Sequence, residues 1–548
     1  MAVQVPGLIA IIVSYVVVFA IGLWAAWKNR RQCCREKVED VFLAGRDIGL
    51  WLGMFTLTAT WVDGSMIAGT VEGVFSQGMP AVMVPLGYAV TLVLAGLFYV
   101  ERMRSRGYIT MLDAFEKKFG EVMTVLMFIP ALSGDLFWCA ATLASLGTTL
   151  TVVIGMDHST AVIVSTAVVL AYTLFGGLYS VSYTDVIQVF LLFIGLGVAA
   201  PFALSRPSVT PLPDSMTTWV GEVQPKRIAT FIDVALQIIL GGIPFQPLFQ
   251  RVLAVKTIRK AQIVCYAGAV GTVLGTIPPV LLGLAAASSN WTETAYEGTI
   301  PIPQEDKKFI CSLVLQYLCP FVVSMFGLGA MSAAVMSSAD SLILSSSSLF
   351  SGNVWRVLRR HKAKDQELVW VMRFFMLVFA VVAAYLAIKI ESIFSLATQF
   401  LEIVYVVLFP QLTAVLFVDF TNAYGSIVGY ILSWVIRGLS GEPMLSLQPV
   451  IFWPFYDHEA NGGEGEQLFP HRTFCVIVAF IAILGVSYVT DFFFKNDILP
   501  RRFDICRSVV NSTDITEKTE NTDSSPRTTG TDNKVFQESN GEPKNTVL

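Results

Sequence analysis

About thirteen apolar stretches long enough to cross a bilayer follow one another along this 548-residue chain, and the second is interrupted in its middle by Trp61, Val62, Asp63, Gly64 and Ser65. A spanning segment must satisfy its own backbone hydrogen bonds, so a chain of this pattern folds as helices packed together in a membrane. The interruption is the costly part. Insertion scales charge roughly 2.5–3.5 kcal/mol for an aspartate at a helix centre, so an acid at that depth faces a cavity, a partner or an ion path. Unwound backbone survives there only where protein or a water-filled cavity takes up its freed groups, which makes a split helix a pointer to a solute or ion site.

The fold class that follows is an all-α polytopic membrane protein. With 54% hydrophobic and 14% charged residues, the chain has more apolar surface than a soluble protein of its size hides. A net charge of −4, with basic residues dispersed between spans, lacks the clustered basic face of a nucleic-acid binder. An enzyme needs a grouped acid, base or nucleophile. His158, His361, His458 and His471 all fall in loops or at helix ends, and Ser337-Ser338 has no activating base nearby in sequence. The first stretch, 7–27, has no basic run before it and is long enough to span, so it reads as a retained helix rather than a cleaved signal. The eight cysteines form neither a disulfide framework nor a metal spacing. Cys33 and Cys34, beside Arg30, Arg31 and Arg35, suit palmitoylation, although solvated thiols are the more ordinary reading.

Spans are expected near 7–27, 48–71, 79–101, 122–155, 159–178, 182–204, 228–250, 259–288, 309–350, 367–388, 392–418, 424–437 and 472–494. Basic residues gather in alternate connections, 28–46, 102–118, 251–260, 356–364 and 495–507, which marks these as cytoplasmic. The amino terminus is then outside and the carboxyl terminus inside. The segment 288–308 falls outside, and it carries Asn290-Trp291-Thr292, so Asn290 is a glycosylation candidate; Asn511-Ser512-Thr513 falls inside and should stay unmodified. The seventh span is broken in turn by Gly241-Gly242-Ile243-Pro244, five helices after the first break. A single glycine cluster reads as close helix packing, but two breaks at matching places suggest inverted halves whose broken helices meet around a solute. The resulting division is 1–47, a first helix and basic loop; 48–204, a first repeat; 205–227, an extracellular loop; 228–418, a second repeat; 419–503, two further helices with an extracellular loop; and 504–548, a disordered cytoplasmic tail. The tail ends in Thr546-Val547-Leu548, a form that adds as a strand to the groove of a PDZ-domain partner.

Several runs resemble the hallmarks of the sodium:solute symporter family. They are Phe42-Leu43-Ala44-Gly45-Arg46, Gly176-Gly177-Leu178-Tyr179-Ser180-Val181 with Thr184-Asp185-Val186-Ile187-Gln188, and Ala333-Ala334-Val335-Met336-Ser337-Ser338. Within the family the resemblance is closest to the high-affinity choline transporters. It is carried by Thr58-Ala59-Thr60-Trp61-Val62, Phe249-Gln250-Arg251-Val252-Leu253 and Val335-Met336-Ser337-Ser338-Ala339-Asp340-Ser341, and it reaches to about residue 500. The resemblance implies a LeuT-type fold of inverted five-helix repeats, transport driven by co-transported Na+, chloride dependence, and delivery to the plasma membrane. It also implies presynaptic membrane and synaptic vesicles as sites, and a role in neurotransmitter biosynthesis.

Mapped by motif, the resemblance puts a sodium site at the carbonyls of Ala59, Val62 and Ala334 and the hydroxyls of Ser337 and Ser338. Small hydroxyl residues in membrane helices otherwise serve as ordinary interhelical hydrogen-bond donors. Asp340 and Glu402 are further ion or gating candidates, Asp340 being equally suited to pairing with a polar neighbour. Choline is a quaternary ammonium with no proton to donate from nitrogen, so its recognition calls for aromatic faces. The implied cage falls on Trp61, Tyr88 and Trp138. This chain departs from the pattern in having Phe245 and Ala397 where those transporters carry further cage tryptophans, and Asp63 where they carry glycine. Losing two tryptophan faces at about 2 kcal/mol each weakens the hold on a cation by on the order of a hundredfold or more. A carboxylate at position 63 either restores attraction for a cation, favours a protonated amine over choline, or points at the sodium site or a neighbouring amide and leaves the substrate unchanged. A symporter for another amine or small solute, and a non-concentrating sensor or channel on the same fold, are the competing readings.

Overall fold

The computed structural model describes residues 38–389, 392–441, 448–459 and 465–496, together with 13, 16, 20–22, 24, 498–500, 502, 504 and 506. Most of the expected first span, Cys33-Cys34, Asn511 and Thr546-Val547-Leu548 lie outside the described residues, as does the side chain of Ala397. The chain is helical nearly throughout. Nine helices among the described residues are long and apolar enough to cross a membrane. Bulky apolar side chains such as Ile194, Trp370, Phe374 and Ile481 stand on the outside of the bundle, as lipid-facing surfaces require.

In chain order, the first broken helix consists of α1 (Leu50–Trp61) and α2 (Gly64–Gln77). It is followed by α3 (Met83–Leu94), α4 (Glu121–Ile154) and α5 (His158–Leu204). The second broken helix consists of α6 (Ile228–Gly241) and α7 (Gln246–Ala254), followed by α8 (Ile258–Ala287), α9 (Phe321–Leu349) and α10 (Asp365–Lys389). The next span is α11 (Ile393–Ile403), a π-helical turn at Val404–Leu408, and α12 (Phe409–Phe417). Last come α13 (Ala423–Leu439) and α14 (His471–Lys495).

The spans expected at 159–178 and 182–204 both lie within α5, which is helical from His158 to Leu204 but not straight. His158 packs on Phe309, with ring centroids 5.8 Å apart, and the Ala199 carbonyl accepts from the Cys319 thiol at 3.5 Å, so both halves meet the segment 309–319, whereas a straight helix would hold those two points about 60 Å apart. The two halves therefore run back past each other, with Leu174 between them at Arg373 of α10.

Both breaks arise from local chemistry. At the first, Val62 leaves the helical region (φ −96°, ψ 73°) and Asp63 is extended (φ −104°, ψ 174°). The Asp63 carboxylate then accepts the Met66 N–H at 2.6 Å, so the acid is the N-cap that starts α2. Gly64 is required by a close approach: a Cβ there would sit 1.9 Å from the Val335 side chain of α9. At the second, Pro244 lacks an N–H, Phe245 is extended (φ −117°, ψ 116°), and Pro247 sits in the first turn of α7, where its missing donor costs nothing.

Candidate functional site

The two breaks touch. A Cβ on Gly242 would lie 3.0 Å from the Trp61 ring and 2.8 Å from Thr91, so the second break is laid directly against the indole that ends α1. Neighbouring helices take up the freed backbone. The Thr91 hydroxyl donates to the Ile239 carbonyl at 2.8 Å, and the Ser145 hydroxyl of α4 donates to the Gly64 carbonyl at 3.0 Å. This is the satisfaction that broken helices at membrane depth require.

Around that junction the expected aromatic residues come together. Trp61 lies 5.2 Å from Tyr88, 5.9 Å from Trp138 and 5.5 Å from Phe245, between ring centroids. Trp138 is stacked with Tyr88 at 5.6 Å and with Phe245 at 5.0 Å. Phe400 of α11, which carries no signal of its own within an apolar run, closes the group edge-on to Trp138 at 4.5 Å and to Phe245 at 5.3 Å. All five side chains are buried. An ammonium guest needs a ring face within about 6 Å of its nitrogen, so the stacked faces must part to admit one. The Trp61 indole N–H is buried and has no hydrogen-bond acceptor among the described residues.

Asp63 is buried beneath this cluster. Besides Met66 it accepts from the Ser65 hydroxyl at 2.8 and 2.9 Å, the Trp138 indole N–H at 2.6 Å and the Thr142 hydroxyl at 3.2 Å. Thr142, one helical turn after Trp138, was not anticipated.

The residues expected to hold sodium sit on the other side of the first break. Val62 is the non-helical residue that ends α1, and Ala59 lies one turn earlier. Ala334, Ser337 and Ser338 lie on α9 around Val335, which abuts Gly64. The Ser338 hydroxyl reaches back to the Ala334 carbonyl at 3.4 Å. The Ser337 hydroxyl donates to Asp185, as does Thr56 of α1. Asp185 also faces the Arg251 guanidinium of α7 at 3.6 Å, both side chains being fully buried, and Arg251 donates to the Ser341 hydroxyl at 2.5 Å. Asp340 accepts from Ser341 at 3.3 Å in the same cluster. Asp185 and Arg251 belonged to the quoted motifs without a role attached. Their signal was available, since each is an ionisable residue inside an apolar run.

Glu402 is placed elsewhere. One oxygen pairs with Arg437 of α13 and the other with Arg472 of α14 at 2.9 Å, while Arg472 reaches Asp233 of α6 at 3.7 Å. The carboxylate thus ties the two final helices to the core. It also lines a vestibule of about 1250 Å3 together with Val84, Gln237, Gln399 and Arg472. Val84 and Gln399 neighbour Tyr88 and Phe400 along their helices, so the vestibule ends over the aromatic cluster. Asn290 is exposed, its side-chain oxygen accepting the Thr292 hydroxyl at 2.6 Å.

Comparison with known proteins gives the arrangement a context. The sodium:solute symporter family matches residues 41–433. A high-affinity choline transporter 1 of Drosophila melanogaster is 46% identical over 510 residues, 93% of this chain and 82% of that protein. Its namesake in Homo sapiens is 43% identical over 519 residues, 93% of this chain and 89% of that one. Among solved structures, a Na+-coupled sialic acid symporter in a substrate-bound outward-open state aligns with a TM-score of 0.71 at 15% identity, covering 88% of this chain and 98% of the other. The nucleobase-cation symporter Mhp1 aligns with a TM-score of 0.52 at 13% identity, covering 86% and 97%. Both likenesses speak to the fold.

Proposed function

Because the chain belongs to the sodium:solute symporter family, we propose that it is a sodium-coupled symporter that imports choline or a closely related organic cation across the plasma membrane. The observation that carries this reading is the convergence of Trp61, Tyr88, Trp138, Phe245 and Phe400 on the two helix breaks. A quaternary ammonium is recognised by aromatic faces, and a buried pocket raises the value of each to about 2 kcal/mol. The unpartnered Trp61 N–H suits a solute that also carries an acceptor oxygen, as choline does in its hydroxyl. Asp63 adds the only carboxylate hydrogen-bonded to a ring of this cluster among the described residues.

For the ion, the fit lies in oxygen ligands. Val62, a non-helical residue, and Ala59, one turn back, would supply carbonyls, and Ala334, Ser337 and Ser338 a carbonyl and two hydroxyls from α9, which meets the break where Val335 abuts Gly64. One sodium moving down about 70 mV supplies roughly 1.6 kcal/mol, and a tenfold inward gradient adds about 1.4, enough for accumulation on the order of a hundredfold. Chloride dependence is carried as an expectation of the relatives' kind, with no ligand assigned.

The test is uptake of labelled choline into vesicles bearing the full-length protein. Replacing external Na+ by N-methylglucamine should reduce uphill entry to the level set by the membrane potential alone, and replacing chloride by gluconate should lower it further. Uphill entry that ignores Na+ would overturn sodium coupling, and entry that never exceeds electrochemical equilibrium would overturn the reading in favour of a sensor or channel. Sidedness has its own test. Asn290→Gln should remove the glycosidase-sensitive mass shift of protein from animal cells, and a shift that persists would refute an external 288–308 segment.

A further inference from the structure

We infer that Asp63 is a positioning and specificity residue that acts through Trp138 and selects the substrate by its charge, without touching it. The inference rests on the cage reading above. A carboxylate has about four acceptor sites, and four donors already fill those of Asp63: the Met66 N–H, the Ser65 hydroxyl, the Trp138 indole N–H and the Thr142 hydroxyl. Two of these are N–H groups that only donate, one to each oxygen, a pattern that an ionised carboxylate satisfies in full. None of its capacity is left for an N–H of a protonated amine, and the side chain is fully buried below the rings.

Its influence travels along the shortest charged contact it makes to a cage wall. The indole N–H donates to Oδ2 at 2.6 Å, within the range of a charge-assisted hydrogen bond, and this fixes the ring against Tyr88 and Phe245. An anion bonded to the N–H edge also pushes electron density toward the ring, and a cation is held by the negative potential of the ring face. The effect matters more here because the wall stacked on Trp138 is Phe245, a weaker cation-holding face than tryptophan. Asp63 thereby favours any monovalent organic cation over a neutral molecule of the same shape. It gives no advantage to an amine that can donate from nitrogen over choline that cannot.

The experiment is displacement of radiolabelled choline from purified full-length protein in sodium buffer. The competitors are choline, the tertiary amine N,N-dimethylethanolamine and the neutral isostere 3,3-dimethylbutan-1-ol. Asp63→Asn keeps an N-cap acceptor while removing the charge, and should weaken both cations by the same factor, about tenfold or more, with the neutral alcohol held within about twofold. Equal weakening of all three would show a packing role only, and weakening of the tertiary amine alone would show direct contact; either overturns the inference. Trp138→Phe keeps a ring, removes the N–H and leaves the Asp63 cap intact, so it serves even if Asp63→Asn fails to fold. It should lower the preference for choline over the neutral alcohol by about tenfold, and an unchanged preference overturns the inference. Adding Asp63→Asn to that background should cost less than about threefold more, whereas full multiplication of the two effects would mean Asp63 does not act through Trp138. Wild-type protein that binds none of the three would refute the cage reading itself, while choline binding with unaltered charge preference in both variants refutes only the role of Asp63.

Discussion

Asp185→Asn should reduce sodium-driven uptake by a hundredfold or more, on the order of the 3–5 kcal/mol that breaking a buried ion pair costs. The reason is what the carboxylate leaves behind. Arg251 is fully buried on α7 and its guanidinium has Asp185 at 3.6 Å; its Nε and Nη1 make no hydrogen bond among the described residues. Removing that charge leaves Asp340, reached through Ser341, as the remaining carboxylate of the cluster for a buried cation. The Asp185 oxygen atoms receive the Thr56 and Ser337 hydroxyls, so they join α1, α5, α7 and α9 at the point where the sodium ligands are proposed. A change confined to packing would lower the amount of protein at the surface. A change at the ion site would also raise the sodium concentration giving half-maximal uptake in the protein that does arrive. Both are expected, and wild-type sodium dependence at normal expression would remove Asp185 from the coupling machinery. Asp185→Glu keeps the charge and should retain more uptake than the asparagine variant.

How much of this was readable beforehand follows from how far each signal reaches along the chain. The two breaks were legible because their causes are local: an acid and a glycine in an apolar run at 63–64, and Gly-Gly-Ile-Pro at 241–244. The convergence of Trp61, Tyr88, Trp138 and Phe245 was expected from motif positions, and the rings do meet. What the sequence left open is which partner each polar group takes. Asp63 had three readings, and its contacts with Trp138 and Thr142 come from a helix 75 and 79 residues further on. Phe400 carries no signal of its own, because an aromatic residue in an apolar run reads as packing. Glu402 reads from the sequence only as an ionisable group in an apolar run; its partners Arg437 and Arg472 come from the final two helices and engage both of its oxygens.

Trp61→Ala should be the most damaging change within the aromatic cluster. Trp61 is the ring that both breaks share: it ends α1, lies against Gly242 of the second break, and faces Tyr88, Trp138 and Phe245 at 5.2–5.9 Å. Truncating a fully buried tryptophan costs about 3–5 kcal/mol in packing alone, and a desolvated cation–π face adds about 2. Choline uptake should therefore fall by more than about a hundredfold. Trp61→Phe separates the contributions. It keeps an aromatic face, though a weaker one for a cation, and removes the indole N–H, which is buried without an acceptor among the described residues. An unsatisfied buried donor costs about 1–3 kcal/mol, and a guest that supplies an oxygen recovers that cost on binding. Phenylalanine should then weaken tetramethylammonium, which has no hydroxyl, through the face alone, and choline by about tenfold more. Competition binding with the two ligands reads this directly. Equal losses for both would mean that the N–H takes no part in recognition and that the ring acts through its face alone.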